Sequence, residues 1–422
     1  MASNSSTMFE TLKQLVYEPF DARFREEPER FYERLRAEAP VYRSQAGYWI
    51  LTRYEDVQAV FRQPERYSNA IVGREALSQA VGDDISLPEA GKAPVDLIGL
   101  LATPNMVSTD PPRHTELRRI VNRAFLPKRL EQWDDFIGAC TAECLASVHD
   151  GEPWDVVAQL AMPLPVSVIS RILSVGRERR VDIKRWSDTI ISTAQGDERG
   201  TSQARMRMLG VLREFSECFV PIIEDRRKNL QNDMISDLVR AEEEALSTLD
   251  TLTFIKSLML AGNETTTGLI GNTIVLLLQN PHQLAKVQAD PGLLKNAIEE
   301  SLRFRSPVQF SIRTPTEDVS IRGATIRRDE PIVLVIGSAN RDPEAFPDAA
   351  RFDVTRNIGG KHLAFGHGIH TCIGFLLARR EATAALGAIL PRLHQWRLSD
   401  APLKRVESNF VYGYQEIQLI PR

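Results

Sequence analysis

The 422-residue sequence contains few cysteines, and the four that it has form neither a disulfide framework nor a spaced set of metal ligands. This usage fits a reducing compartment. There is also no excess of positive charge, since 52 Lys and Arg face 56 Asp and Glu for a formal net charge of −4. A polyanion would need a basic face, so we expect no nucleic-acid partner.

Targeting and membrane signals are missing as well. The start, Met1 to Pro19, lacks the charged-then-apolar layout of a secretion signal. The longest nearly apolar stretch, Phe254 to Leu278, would be long enough to span a bilayer, but polar residues such as Lys256, Asn263 and Glu264 interrupt it. We therefore expect a buried helix there, no membrane span, and a cytoplasmic protein.

No internal repeat, low-complexity tract or Gly/Ser linker divides the chain, so we expect one domain over residues 1–422. The middle, from Pro112 to about Leu278, has apolar residues at helical spacing, whereas Phe310 to Ile336 alternates like strands. The fold class is therefore predicted to be mainly α with small β-sheets. Residues Ser68 to Val107 show little periodicity and are interpreted as a substrate lid.

The segment Phe365-Gly-His-Gly-Ile-His-Thr-Cys-Ile-Gly374 is the most informative part of the sequence. Its glycines let the backbone approach a flat ligand closely. Free amide N–H groups and the start of a following helix would favour a thiolate at Cys372. A cytoplasmic cysteine is more often a buried small hydrophobe, but this flanking pattern is far too specific for that reading.

This loop resembles the haem-binding loop of the cytochrome P450 family. The resemblance implies the family's triangular, mainly α fold with a smaller β-rich part, and haem b as cofactor. It makes Cys372 the axial ligand of the iron, places Phe365 beside the sulfur, gives His370 a haem propionate, and includes Gly374 in the cofactor site. A thiolate ligand promotes cleavage of the O–O bond.

A second motif, Ala261 to Thr267, puts an acid and three threonines inside the long apolar helix. Buried carboxylates are costly without a partner, and threonines with Gly262 can open a local bulge. Taken alone, this is as easily a small polar patch. It resembles the family's oxygen-activating segment, in which Glu264 relays protons and Thr265 assists O–O cleavage.

Three further residues resemble the family's Glu-Arg-Arg triad. Glu300 and Arg303 stand three apart on a predicted helix, which by itself is a commonplace ion pair. Arg351 follows an irregular, proline-containing stretch in the family's order. The resemblance implies that these three residues lock the region beneath the cysteine loop, with a role in folding and haem incorporation and none in catalysis.

Other cationic side chains are candidates for the haem propionates. His114 and Arg118 share a helix face at i,i+4, although a solvated amphipathic face would show the same spacing. Their helix and the strand carrying Arg313 resemble the family's propionate-binding segments, where charge-assisted hydrogen bonds are strong. Cys140 and Cys144 have no further ligands nearby in sequence and are assigned to core packing.

Because the sequence has no second cofactor fingerprint, we expect electrons from a separate ferredoxin and ferredoxin reductase. Basic residues flank the cysteine side of the expected haem and form a predicted docking face for an acidic ferredoxin. They are Arg119, Arg123, Lys128, Arg129, Lys361, Arg379 and Arg380.

The resemblance predicts a monooxygenase that inserts one oxygen atom from O2 into a small, mainly apolar substrate, most simply by hydroxylation. A lipid, steroid, terpenoid or macrolide-like molecule would fit the apolar walls. The pocket is predicted to include Ala261, Val308, Phe310, Phe410 and Val411. Two alternatives stay open: a peroxide-dependent haem-thiolate hydroxylase, and a haem-binding sensor without enzymatic activity.

Overall fold

The helices and strands were assigned from a computed structural model, which describes residues 15–70, 95–195, 201–242 and 246–422. The α-helices of these residues are α1 Pro28–Glu38, α2 Tyr54–Phe61, α3 Leu97–Ala102, α4 Arg113–Asn122, α5 Pro127–Glu131, α6 Asp134–Leu145, α7 Pro163–Ile172, α8 Arg180–Gln195, α9 Ser202–Lys228, α10 Met234–Glu242, α11 Thr248–Gln279, α12 Pro281–Ala289, α13 Leu294–Phe304, α14 Ile336–Ala339 and α15 Phe375–Ile389. The strands are β1 Val41–Arg43, β2 Trp49–Leu51, β3 Tyr67–Ser68, β4 Trp154–Asp155, β5 Ser311–Pro315, β6 Val319–Ile321, β7 Ala324–Ile326, β8 Ile332–Leu334, β9 Trp396–Leu398 and β10 Gln418–Pro421. The predicted fold class, mainly α with small β-sheets, is confirmed.

The 32-residue helix α11 is the central element of the helical part. It starts with a capping box, in which the Ser247 hydroxyl accepts the N–H of Asp250 and the Asp250 carboxylate accepts the N–H of Ser247. It ends just before Pro281, which cannot continue a helix from the preceding turn. Leu269 to Leu278 is buried throughout, as a helix apolar on all sides requires. Among the described residues, no helix has the length and apolarity that a membrane span needs.

The β-structure is small and lies mostly in one five-stranded sheet. Its strand order is β1-β2-β8-β5-β3, with β2 and β8 parallel and the other neighbours antiparallel. Strands β4, β10 and β9 form a second sheet, and β6 and β7 form a hairpin. The antiparallel pair β3 and β5 brings Ser68 opposite Thr314, next to Arg313.

The largest hydrophobic cluster joins the helices from α3 to α15 around α11, and a second cluster underlies the five-stranded sheet. The cysteine loop connects these two clusters. Leu363, just before the loop, belongs to the sheet cluster, and Leu377, just after it, belongs to the helical cluster. Residues 71–94 of the predicted lid lie outside the described residues. The described part of that segment contains α3 and a 3-10 turn, Met106–Ser108.

Candidate functional site

The cysteine loop has a backbone that only glycine accommodates easily. Gly366 and Gly368 have φ of +70° and +75°, in the left-handed region. A Cβ on Gly368 would also lie 2.4 Å from the carbonyl oxygen of Phe61 at the end of α2. The Cys372 N–H donates to the Phe365 carbonyl at 2.8 Å, which closes the loop just before α15. Two of its glycines therefore set the path of the chain that presents Cys372.

A backbone N–H and two positive charges act on the sulfur of Cys372. Burial raises the pKa of its thiol, and a hydrogen bond from the Gly374 N–H and the charges of Arg118 and Arg379 act in the opposite direction. The residue is nevertheless exposed. Of the four cysteines, Cys140 is fully buried, and burial raises the pKa of Cys144 to about 11. Only Cys372 combines an accessible sulfur with hydrogen-bond and charge support for a thiolate.

Four nitrogen-bearing side chains from three segments meet near the cysteine loop. The rings of His114 on α4 and His370 in the cysteine loop lie 4.1 Å apart between centroids. Burial and the charges of Arg313, His114 and Arg118 together lower the pKa of His370 to about 3. Burial also lowers the pKa of Arg313 to about 10. The structure thus brings together all four residues for which the sequence predicted propionate contacts.

Within the described residues, this cluster has no ion-pair partner. The buried Nε2 of His114 has no hydrogen-bond partner among the described residues, and Arg313 donates only to Ser311 and to the Ile312 carbonyl. In the described part of the chain, no carboxylate forms an ion pair with any of the four. Asp110 is near enough to act on His114 and Arg313 by charge, but its oxygens accept from Ser68 and Asn69. A set of donors gathered in this way suits an anionic ligand.

The middle of α11 has an open side. Ala261 is exposed although the helix around it is largely buried, and the Thr265 hydroxyl donates to the Ala261 carbonyl at 2.7 Å. The helix runs without interruption through this segment, so the bulge that the sequence allowed is not present. The i−4 hydrogen bond keeps the hydroxyl of Thr265 at the open side, where a ligand could replace the carbonyl as its acceptor.

Glu264, on the same helix, contacts helix α8. Its Oε1 lies 3.7 Å from the Lys184 Nζ, and Lys184 also forms an ion pair with Asp188. Burial raises the pKa of Glu264, the Lys184 charge lowers it, and the Asp188 carboxylate raises it. Lys184 and Asp188 line a cavity of about 490 Å³ between α7 and α8. The acid therefore has a polar connection toward an open cavity, and sequence reasoning missed Lys184 because its pairing is purely tertiary.

Glu300 and Arg303 form a fully buried ion pair on α13. Arg303 donates Nε to Glu300 Oε2 at 2.7 Å and Nη2 to Oε1 at 2.8 Å. Its Nη1 donates to the carbonyls of Asn340 and Ala349 at 2.9 and 3.0 Å. This bidentate pair therefore ties α13 to the irregular stretch that follows α14.

The second arginine of this cluster is Arg356, and the prediction that the Arg351 side chain completes it is wrong. Arg356 Nε donates to Glu300 Oε1 at 3.2 Å, and its Nη atoms donate to nearby carbonyls, including that of Arg351 at 3.1 Å. The Arg351 side chain is 59% exposed and pairs with Asp353. The chain turns between these two residues, so the backbone of Arg351 faces the cluster while its guanidinium faces solvent.

Known proteins resemble the chain along most of its length. The family model for cytochrome P450 matches residues 292–419. Cytochrome P450 107B1 from Saccharopolyspora erythraea is 36% identical over 390 residues, which cover 91% of this chain and 92% of that protein. 6-deoxyerythronolide B hydroxylase from the same organism is 36% identical, over 86% and 88% of the two chains. The structure of CYP109E1 from Bacillus megaterium in complex with testosterone has a TM-score of 0.80 and 34% identity, over 95% and 100% of the chains.

The chain belongs to the cytochrome P450 family. It is accordingly a haem-thiolate monooxygenase, and its cofactor is haem b. When bound, the haem supplies dioxygen activation and oxygen transfer, which a thiolate ligand promotes.

The residues near Cys372 fit this cofactor of the P450 family. An accessible sulfur next to two left-handed glycines can ligate an iron whose flat ring lies close to the backbone. The donors of His114, Arg118, Arg313 and His370, which have no carboxylate partner among the described residues, match the two propionates of haem b.

The predicted substrate pocket is only partly open in this P450. Ala261 is exposed, and Val308 and Phe410 keep partial exposure. Phe310 is 2% exposed and packs edge-on against Phe20 and Phe410, and Val411 is 5% exposed in a β-bridge with Val308. Phe310 and Val411, both predicted as pocket residues, are therefore buried in this structure. The Phe310 side chain belongs to the cluster of N-terminal aromatic residues.

The seven cations of the predicted docking face differ in exposure. Three of them hold other parts of the protein: Arg129 donates to Asp237, Arg379 to Glu299, and Arg380 to Asp134. The other four have exposed side chains; they are Arg119, Arg123, Lys128 and Lys361.

Proposed function

We propose that this P450 inserts one oxygen atom from O2 into a mainly apolar organic molecule, with Cys372 as the axial ligand of the haem iron. The observation that carries the proposal is the position of Cys372, an exposed cysteine in a loop near which four nitrogen-bearing side chains meet. His114, Arg118, Arg313 and His370 would hold the propionates. Phe365 and Gly374 belong to the same cofactor site, and residues 1–422 act as one haem domain in the cytoplasm.

The proton path in this proposal starts from the cavity between α7 and α8. Glu264 takes protons from the side of Lys184 and Asp188 and passes them toward the open face of α11. The Thr265 hydroxyl donates to the Ala261 carbonyl, and with haem in place it would be able to turn its hydrogen toward the open face of α11 instead. This pair supports the use of dioxygen over peroxide, and it argues against a haem-binding sensor, which needs no proton path.

Large apolar substrates are supported by two relatives. One relative is a 6-deoxyerythronolide B hydroxylase, and the solved structure of another contains testosterone. Exposed Ala261, with Val308 and Phe410, offers apolar surface with no fixed charge. We therefore propose hydroxylation of a lipid, steroid, terpenoid or macrolide-like substrate.

Electrons are proposed to come from a ferredoxin and its reductase, docking where Leu126 is exposed between basic residues. Leu126 is 53% exposed, and Arg123 and Lys128 flank it. An apolar centre with a cationic rim suits an acidic partner. Replacing Arg123 and Lys128 by Glu should slow ferredoxin-supported turnover and flatten its salt dependence, whereas Arg30→Glu on α1 should change neither. Unchanged rates in the double variant would contradict this docking face.

The decisive experiment is the absorption difference spectrum of the dithionite-reduced protein with carbon monoxide. The wild type should show the red-shifted band of a thiolate ligand, and Cys372→Ser should lose it while Cys140→Ser keeps it. An imidazole-type band, or a band that survives Cys372→Ser, would overturn the assignment of the ligand. Thr265→Ala should then uncouple NAD(P)H and oxygen use from product formation, and coupling that stays intact would favour peroxide-driven chemistry.

A further inference from the structure

A partly buried ionic network lies behind the cysteine loop. The Glu299 carboxylate, on α13, accepts Arg379 Nε at 2.6 Å and Nη2 at 2.8 Å, and it lies 3.0 Å from His362 Nε2. Burial acts to raise the pKa of Glu299, but the hydrogen bonds from Arg379 and His362 outweigh it and bring the pKa to about 2. Glu299 is therefore an anion at neutral pH, held from two sides.

His362 holds the Glu299 carboxylate from a second side. The Ala364 N–H donates to His362 Nδ1 at 3.3 Å, so the ring proton must be on Nε2, where it faces Glu299. The His362 side chain is 2% exposed and has little freedom to rotate. The orientation of Glu299, and through it that of Arg379, thus follows from a residue just before the cysteine loop.

The guanidinium of Arg379 lies over the aromatic rings next to Cys372. Its central carbon is 4.6 Å from the centroid of Phe365 and 5.3 Å from that of Phe375. The carbonyl of Phe365 accepts the Cys372 N–H at 2.8 Å. Phe365 therefore lies between the positive charge of Arg379 and the backbone of Cys372.

Arg379 is poorly suited to docking a partner, which is the role that its position suggested. Two of its nitrogens are bound to Glu299 and its face covers Phe365, leaving its side chain 28% exposed. Its neighbour Arg380 is 27% exposed and pairs with Asp134 on α6. The two arginines are thus matched in exposure and pairing but differ in their distance from the cysteine loop, since only Arg379 stacks on Phe365.

We propose that Arg379 is a positioning residue that sets the reduction potential of the haem, with its charge held over Phe365 by Glu299 and His362. A positive charge near the thiolate offsets its electron donation and makes the iron easier to reduce, while the Glu299 carboxylate opposes this effect. The inference rests on the proposed ligation by Cys372.

The test is the potential of the purified holoenzyme, measured by spectroelectrochemistry in the wild type and four variants. Arg379→Met should shift the potential to more negative values by on the order of tenfold in the reduction equilibrium, about 59 mV for one electron. Glu299→Gln, which can still accept from His362 and Arg379, should shift it in the positive direction. The double variant should lie near the wild type, and the control Arg380→Met should not move it.

Opposite signs separate tuning from damage, because a disturbed loop would shift both single variants the same way. If Arg379→Met fails to retain haem, Arg379→Lys replaces it in the test. Lysine keeps the positive charge, so the potential of this variant should stay close to that of the wild type. Shifts of equal sign, or shifts no larger than that of Arg380→Met, would overturn the inference. If the wild type lacks the thiolate-type band, or if Cys372→Ser keeps it, the proposed ligand is overturned instead.

Discussion

Replacing Arg356 by Met should destabilise the protein far more than the same change at Arg351. Arg356 is 12% exposed and donates to Glu300 Oε1 and to the carbonyls of Pro347, Asp348 and Arg351. These contacts join the end of the irregular stretch to helix α13. Methionine keeps most of the side-chain length but none of the donors, so the variant removes the polar contacts alone.

The expected magnitude follows from what remains around Glu300. The carboxylate keeps both hydrogen bonds from Arg303 and one from the Asp353 N–H at 2.9 Å, so its charge is not stranded. The loss of Arg356 should therefore cost about 2–3 kcal/mol, below the roughly 3–5 kcal/mol for breaking a buried pair outright. Arg303→Met should reach that higher range, because it leaves Glu300 and three carbonyls without their main donor.

Arg351→Met is the matched control. Its side chain is 59% exposed, and its ion pair with Asp353, at 3.3 Å, lies at the surface. An exposed pair of this kind contributes about 0.5 kcal/mol or less.

Thermal midpoints of the haem-bound proteins measure the difference, since a cofactor-bound chain of this size need not unfold in two states. Arg356→Met should lower the midpoint by about 4 °C or more, and Arg351→Met by about 1 °C or less. Equal lowering by both variants would refute the assignment of Arg356 to the cluster.

Three further outcomes are expected. Burial raises the pKa of Glu381 to about 8, so between pH 5 and 8 the folded chain keeps a proton that the unfolded chain releases. The free energy of unfolding should therefore fall with rising pH, by at most about 1.4 kcal/mol per pH unit. Glu381→Gln should remove this slope in thermal midpoints at pH 6 and 8, and an unchanged slope would contradict it. Lys184→Met should raise the pKa of Glu264 and move the acidic limb of the pH profile of coupled oxygen use to higher pH, since the Lys184 charge now lowers that pKa. Gly368→Ala should abolish haem incorporation, because the added Cβ would lie 2.4 Å from a backbone oxygen. Gly374 has φ −85° and an added Cβ would meet no atom within 4 Å, so Gly374→Ala should leave the thermal midpoint of the cofactor-free protein unchanged.

The sequence alone determined the features that depend on local pattern. The glycines around Cys372 and the helix after it are contiguous, so their backbone demands could be read directly. The buried helix α11 followed from its long apolar stretch, and its few polar residues excluded a membrane span. The i,i+3 spacing of Glu300 and Arg303 likewise places both on one face of α13 without knowledge of the fold.

Only the tertiary structure decided which distant side chains meet. Arg351 and Arg356 are both arginines in one irregular segment without periodicity, and the turn of the chain decides which guanidinium reaches Glu300. Lys184 meets Glu264 because α8 packs against α11. Arg379 is engaged by Glu299 where sequence predicted a free docking cation. Charges act over a few ångströms in any direction, whereas a sequence pattern records only neighbours along one helix or strand, and this is why these pairings could not be predicted.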